Sequence, residues 1–523
     1  MEKDNTEIEQ NLKLLVKSSL IVFIGLFLSR ILNYLYRIII ARNIGPEAFG
    51  LFTLAVTTLT LLIHVSSMGL TEGLVRYVAI YRGEKENDKI KYLFRLTLSR
   101  LIFSGILFGF LLFAFSSVIA NGIFHNSELT FFLKIFSLII PITIIYNIFC
   151  SMLRAFEKIS IYSFIDSILQ NLIKVIMLGF FIFMGLKINS IIFSYLLSIS
   201  GVLLIVYFIC KYQLKIIFQK PSLEEKDKKE IRKEFFSYSW PIMLYGISGT
   251  LFVTTDSFVI GYFNGPISVG FYSVAMSIAT LLLFVPMLFT KLFFPLITKH
   301  YAKKDTIFVR DISKQVGKWI FLVNLPALLI MLFFPGTIIN ILFGVDYLIS
   351  ENALRFLAIG VFVLSICGSV SSDLVYMGGK SKMIFYNLIG VSIINLILNI
   401  VLIPKYDING AAISNMISTS LLGLLLFFES YYYTSILPLK RSIIKIAVVS
   451  ILPIGIMLVI TKTFTPTIIG AIVLGLFFVL FYILLIFITH CLDKNDFLII
   501  NGIKSKLFSS MSLITHPFLK TAD

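Results

Sequence analysis

Residues 40–55 read IARNIGPEAFGLFTLA, and residues 260–275 read IGYFNGPISVGFYSVA. Gly45-Pro46, Gly50 and Ala55 fall on Gly265-Pro266, Gly270 and Ala275 at an offset of 220 residues. In each copy one apolar run arrives, a Gly-Pro pair follows, and a second apolar run departs. The pattern predicts two helices joined by a short turn, since Pro stops the incoming helix and Gly tolerates the turn geometry. The same offset returns further along the chain: INSIIFSYLLSIS at 188–200 answers INGAAISNMISTS at 408–420, matching Ile188, Asn189, Ser194, Ser198 and Ser200 with Ile408, Asn409, Ser414, Ser418 and Ser420. Two separate matches at one offset point to an internal duplication. The alternative is compositional coincidence in a sequence rich in Ile and Ser.

The surrounding composition says what kind of helices these are. Of 523 residues, 58% are hydrophobic and 14% charged, with 51 Phe against two Trp and a mean hydropathy of +0.94. A soluble domain carries about 25% charged residues. These values exclude a soluble enzyme, a nucleic-acid-binding protein and a disordered scaffold, and leave a polytopic membrane protein. The net charge of +17 then reads as basic loops facing anionic lipid, with no nucleic-acid partner. Cys150, Cys210, Cys367 and Cys491 lie in or beside apolar segments without metal-ligand spacing, so neither a disulfide framework nor a metal site is expected. The first apolar run is too long for a cleavable signal.

A spanning helix needs about 20 apolar residues. Fourteen segments qualify: 18–40, 48–68, 93–120, 131–153, 159–184, 188–209, 235–263, 269–297, 316–334, 353–376, 383–403, 408–432, 443–460 and 467–488. Strands of a membrane barrel would be shorter and would alternate polar with apolar. With a cytoplasmic N-terminus, 34 of the 45 basic residues fall on the cytoplasmic side and six outside, with five inside spans. That asymmetry obeys the positive-inside rule and predicts cytoplasmic termini in a plasma-membrane protein. The expected organisation is all-α: residues 1–216 an N-terminal six-helix bundle, 217–234 a charged cytoplasmic linker, 235–434 a second six-helix bundle, 435–491 two additional transmembrane helices, and 492–523 a cytoplasmic tail that could hold an interfacial helix. An even number of spans per repeat makes the copies parallel, related by an axis along the membrane normal. Both halves of such a cavity sit on one chain, so a monomer suffices.

Ionisable groups in the bilayer are costly and usually face a cavity or a partner. Arg30, Asn33, Tyr34 and Arg37 step along the first span at i, i+3, i+4 and i+7, one helix face. Arg stays charged and offers a planar fork of donors, which suits phosphate; the bland reading is a structural ion pair with Asp166 or Asp256. Asp166, Gln170 and Lys174 step by four residues down span five and could line a cavity or satisfy one another. Asp256 in span seven is a coupling-ion site or an Arg counter-ion. At offset 220, Thr250 and Ser257 replace Arg30 and Arg37, so the cationic face belongs to the first half. Asn387, Asn395 and Asn399 suit sugar hydroxyls, though amides also bond helices together. Glu72 and Arg76 read as a helix-surface pair, and His64 as an interface residue.

Walker A and HExxH motifs are absent from the sequence, and no cofactor is expected. At this point SRILNYLYRIIIARNIGPEAFGLFTLA (29–55), GLTEGLVRYVA (69–79) and YDINGAAIS (406–414) resemble polysaccharide transporters of the multidrug/oligosaccharidyl-lipid/polysaccharide exporter superfamily, the O-antigen and teichoic-acid type flippases. The resemblance covers essentially the whole chain. It implies that a polyprenyl-diphosphate-linked or dolichyl-phosphate-linked oligosaccharide moves from the inner to the outer leaflet. It also implies a V-shaped cavity with alternating access, in which cationic residues meet the lipid phosphates. The driving force is open between H+ or Na+ exchange and membrane potential. Arg30 and Arg37 sit where such cavity arginines are expected; the uncharged second half departs from a cavity basic on both sides. A cation-coupled multidrug antiporter on the same scaffold predicts acidic and aromatic lining, against which the arginine face stands. A membrane-embedded polymerase or ligase predicts a large outer loop with catalytic residues, and the outer loops here are short.

Overall fold

The computed structural model describes residues 25, 27–463, 468–492 and 496. The start of the first expected span, and all but a few residues of the expected cytoplasmic tail, lie outside them. Among the described residues every regular element is helical, and eleven helices are long and apolar enough to cross a membrane. In chain order the helices are α1 (residues 27–44), α2 (Pro46–Ser67), α3 (Leu70–Gly83), α4 (Asn87–Ile123), α5 (Glu128–Ala155), α6 (Ile159–Phe183), α7 (Asn189–Gln213) and α8 (Glu225–Phe263). They continue with α9 (Gly265–Ala302), α10 (Thr306–Phe333), α11 (Pro335–Leu342), α12 (Val345–Met377), α13 (Ser381–Thr434), α14 (Ser442–Ile460) and α15 (Ile468–Ile488).

Both Gly-Pro pairs form the turns that their sequence predicts. Gly45 and Gly265 adopt φ of 104° and 81°, a region costly to any side chain bearing a Cβ. Pro46 and Pro266 stand in the first turn of α2 and α9, where the missing N–H would find no helical acceptor anyway. The two turns then meet. A Cβ on Gly50 would overlap the Pro266 carbonyl, and a Cβ on Gly270 would overlap the Pro46 carbonyl. Each glycine thus admits the backbone of the other repeat, in a reciprocal contact of the kind a twofold axis produces. Arg42 reinforces this end: its guanidinium donates to the carbonyls of Asn340, Ile341 and Leu342 at 3.1, 2.5 and 3.0 Å, satisfying the open carbonyls at the C-terminus of α11. Tyr347 donates its hydroxyl to the Ala41 carbonyl at 3.2 Å.

Two elements differ from their sequence expectation. The stretch 70–83 is a separate helix of 14 residues, too short to span. It is set off from α2 by Met68 and Gly69, both at positive φ, and it buries Leu70, Leu74 and Val78 on one face. The expected linker is helical from Glu225, so α8 runs 39 residues, about 58 Å at 1.5 Å per residue and well beyond a hydrocarbon core of about 30 Å. Spans eleven and twelve, by contrast, are two limbs of 381–434 parted where expected, at Asp407, whose φ 49° and ψ −133° are non-helical. Pro404 precedes the break, and a Cβ on Gly410 would meet the Leu402 carbonyl, so the limbs fold back closely on each other. At the end opposite the Gly-Pro turns, α3 packs on α8: Gly69 and Gly73 leave room for Ser239, and the Arg76 guanidinium lies 4.3 Å over the Tyr238 ring. Large apolar side chains such as Phe103 (69% exposed) and Phe183 (92%) cover the outside, as a lipid-facing surface requires.

Candidate functional site

The polar face of α1 lies between the two repeats. Arg30, Asn33, Tyr34 and Arg37 line one cavity of about 320 Å3 together with Ser29, Asp166, Ser167, Thr280 and Met287. The same face forms bonds across to α9. Arg37 donates to Ser277 Oγ at 2.7 Å. Tyr34 donates its hydroxyl to the Ser277 carbonyl and stands 3.3 Å from Thr280 Oγ1. Arg30 differs from both. Its guanidinium contacts only the Met287 sulfur, at 3.9 Å, and no carboxylate pairs with it among the described residues. The alternative reading of these arginines as partners of Asp166 or Asp256 is not what the geometry holds.

Asp166 accepts hydrogen bonds from the hydroxyls of Tyr146 at 2.9 Å and Tyr162 at 3.4 Å. It sits in a π-helical stretch, Phe164–Leu169, which inserts an extra residue and shifts the faces of α6 before and after it. Spacing by four therefore does not align Asp166 with Lys174. Lys174 is placed apart from the cavity, nine-tenths buried, with its ammonium 5.0 Å over the Tyr36 ring and 5.6 Å over that of Tyr195.

Asp256 is 1% exposed. It accepts from the Tyr272 hydroxyl and from the side-chain amides of Asn399 and Asn415, both at 2.7 Å; no Arg or Lys pairs with it among the described residues. Asn399 also donates to Asn395 Oδ1 at 3.1 Å. Oδ1 of Asn399 and Oδ1 of Asn415 are buried without a partner. At offset 220, Asp256, Tyr272 and Asn415 stand where the first half has Tyr36, Phe52 and Tyr195. Those three aromatic rings contact one another at 5.7 and 6.2 Å and wall in Lys174. Equivalent nests in the two repeats thus hold opposite kinds of ionisable group, a buried lysine amine in one and a buried aspartate carboxyl in the other. The sequence repeat signals this correspondence, but only packing shows which residues complete each nest.

Two further cavities join the first. An apolar groove of about 350 Å3 runs between α1 and α9, lined by Phe27, Ile31, Leu35, Leu281 and Phe284, and it shares Arg30, Tyr34 and Thr280 with the polar cavity. On the other side, a polar cavity of about 410 Å3 lies toward α3, lined by His64, Glu72, Asn147, Arg154, Tyr162 and Tyr245 among others, and it shares Asp166. Sequence reasoning did not single out Asn147, Arg154 or Tyr162. Glu72 pairs with Arg154 at 2.8 Å, not with Arg76 as the spacing suggests.

The chain is similar to known proteins along most of its length. Residues 15–301, more than half of the chain, match the family described as polysaccharide biosynthesis protein. A protein of Shigella flexneri named as an O-antigen transporter is 27% identical over 394 residues, covering 74% of this chain and 90% of its own. Among solved structures, the lipid II flippase MurJ in an inward closed conformation superposes with a TM-score of 0.71 at 18% identity, over 90% of this chain and 99% of that one. An inward-facing multidrug resistance MATE transporter gives 0.66 at 15% identity, over 79% and 98%. These likenesses show a shared fold. With eleven helices able to cross a membrane among the described residues, this multi-pass membrane protein belongs to the polysaccharide biosynthesis protein family.

Proposed function

We propose that the chain is a flippase that carries a lipid-linked oligosaccharide from the cytoplasmic to the outer leaflet of the plasma membrane by alternating access. The observation that carries this reading is Arg30, a cation without a carboxylate partner among the described residues, at the junction of an apolar groove and a polar cavity. A carrier lipid has the same linear order: an apolar tail, a phosphate or diphosphate, then a polar head. Placing an unpaired guanidinium at a helix centre costs about 3 kcal/mol or more, and an anionic substrate offsets that cost. The family match and the relative named as an O-antigen transporter agree with a glycan cargo. Fourteen spans in two parallel six-helix bundles, with two helices added and both termini cytoplasmic, belong to the same proposal. The break at Asp407 supports that count, and the reciprocal Gly50–Gly270 crossing supports the paired arrangement. No step of the proposal is enzymatic, and the monomer is the transporting unit.

Coupling is assigned to Asp256. A buried carboxylate ringed by amide oxygens without partners is suited to exchange a proton or a Na+ ion. In proteoliposomes holding a fluorescent lipid-linked oligosaccharide, an imposed H+ or Na+ gradient accelerates transfer by the wild type, and Asp256→Asn is expected to remove that dependence while leaving binding intact. A variant that keeps the full gradient response rules Asp256 out.

Native mass spectrometry of gently purified protein tests the substrate. The wild type is expected to retain a polyprenyl-phosphate-linked sugar, and the double variant Arg30→Ala/Arg37→Ala to lose it. If neither retains it and both bind small organic cations, the antiporter reading replaces this one.

A further inference from the structure

The cavity beyond Asp166 has its own chemistry, distinct from the arginine end. It holds two carboxylates, Glu72 and Asp166, against one guanidinium, Arg154. Arg154 is already ion-paired: its two terminal nitrogens donate to both Glu72 oxygens at 2.8 and 3.4 Å and to Ser151 Oγ at 3.3 Å, its Nε is buried away from the cavity, and its guanidinium lies 5.5 Å over the Tyr162 ring. Asp166 is held by two phenol hydroxyls and no cation. Apart from His64, the remaining polar groups are uncharged side chains. Asn147 lines the space and makes no side-chain hydrogen bond among the described residues. Its volume, about 410 Å3, falls within the range of small-molecule sites.

We propose that this cavity is the saccharide subsite, and that it selects a sugar without a carboxylate next to the carrier. The inference rests on the flippase reading above and deepens it. With the phosphate at Arg30 and the tail in the apolar groove, the glycan enters the polar cavity and extends past Asp166. There it meets an amide free to bond ring hydroxyls, together with a tyrosine ring. A uronic acid at the same place would bring a third carboxylate beside Asp166 and Glu72, with the only guanidinium already paired. Like charges a few ångströms apart in a partly desolvated site repel strongly. The substrate's negative charge is thereby confined to its phosphate end.

The test uses three probes on the full-length protein in nanodiscs: a short-chain prenyl diphosphate, its glucosyl conjugate and its glucuronosyl conjugate, which differ at the sugar only by the C6 carboxylate. The expected order of affinity is glucosyl above bare diphosphate, with glucuronosyl about tenfold or more below glucosyl, one charge repulsion of this kind. Asn147→Ala is expected to remove the glucosyl advantage while bare diphosphate binds as before, which also shows that the variant is folded. Asp166→Asn narrows the gap between the two sugars. Equal or tighter binding of the glucuronosyl probe by the wild type overturns the subsite, even with the flippase reading intact. Failure of bare diphosphate to bind the wild type brings down the flippase reading, and this inference with it.

Discussion

Arg30 and Arg37 lie on one face of one helix, yet different forces hold them. Arg37 is bonded to Ser277 across the repeats, while Arg30 faces the junction of groove and cavity with only a methionine sulfur in contact. The two single variants should therefore separate. Arg30→Ala removes hydrogen bonds to a charged group, worth about 1.5–3 kcal/mol, and should weaken carrier-diphosphate binding roughly tenfold to a hundredfold. Arg37→Ala should chiefly loosen the contact of α1 with α9, and Ser277→Ala should reproduce that effect; titration with a prenyl diphosphate distinguishes them. The α1 face was legible in the sequence because its four polar residues repeat at helical spacing within an apolar run. Lys174 was not, because the π-helical stretch at Phe164–Leu169 breaks the regular period on which spacing arguments depend. Asn147, Arg154 and Tyr162 were overlooked for a different reason. Each is unremarkable in its own helix and becomes part of a site only where α5, α6 and α8 converge.

At the level of elements, the Gly-Pro turns do two jobs. Each starts a helix, and each offers its first-turn carbonyl to a glycine of the other repeat. Any Cβ at position 50 or 270 must push α2 and α9 apart, so Gly50→Val is expected to open the Gly-Pro end. With the four native cysteines replaced by serine, a cysteine at Asn33 should label faster from the outer face in the Gly50→Val background than in its parent. Unchanged labelling would show that this crossing is not a barrier. The turn itself was readable from the sequence, since Gly at positive φ followed by Pro at N1 is local chemistry. The reciprocal crossing was not, because it depends on how two distant segments approach.

For the whole molecule, Asp496, which follows α15, is tied to α10 by a fully buried ion pair with Lys318 at 2.6 Å. Breaking a buried pair from one side costs about 3–5 kcal/mol. Asp496→Ala should lower the thermal midpoint of the purified protein, whereas the joint change Lys318→Met/Asp496→Leu should largely restore it. The sequence by itself determined the membrane class, the helical architecture, the family, the duplication and the polar face of α1. The family rests on the resemblance of a few motifs and the duplication on matches at one offset; the rest follow from composition, hydropathy length and local periodicity, which act over a few tens of residues at most. Only the tertiary structure decided that Arg30 faces a groove and a cavity without a carboxylate partner, that Glu72 belongs to Arg154, and that one nest holds a lysine where its counterpart holds Asp256. Those outcomes depend on which side chains converge from separate helices. In a medium that penalises every unpaired charge, that convergence decides which charges are paired, as Glu72 is with Arg154, and which face a cavity, as Arg30 does.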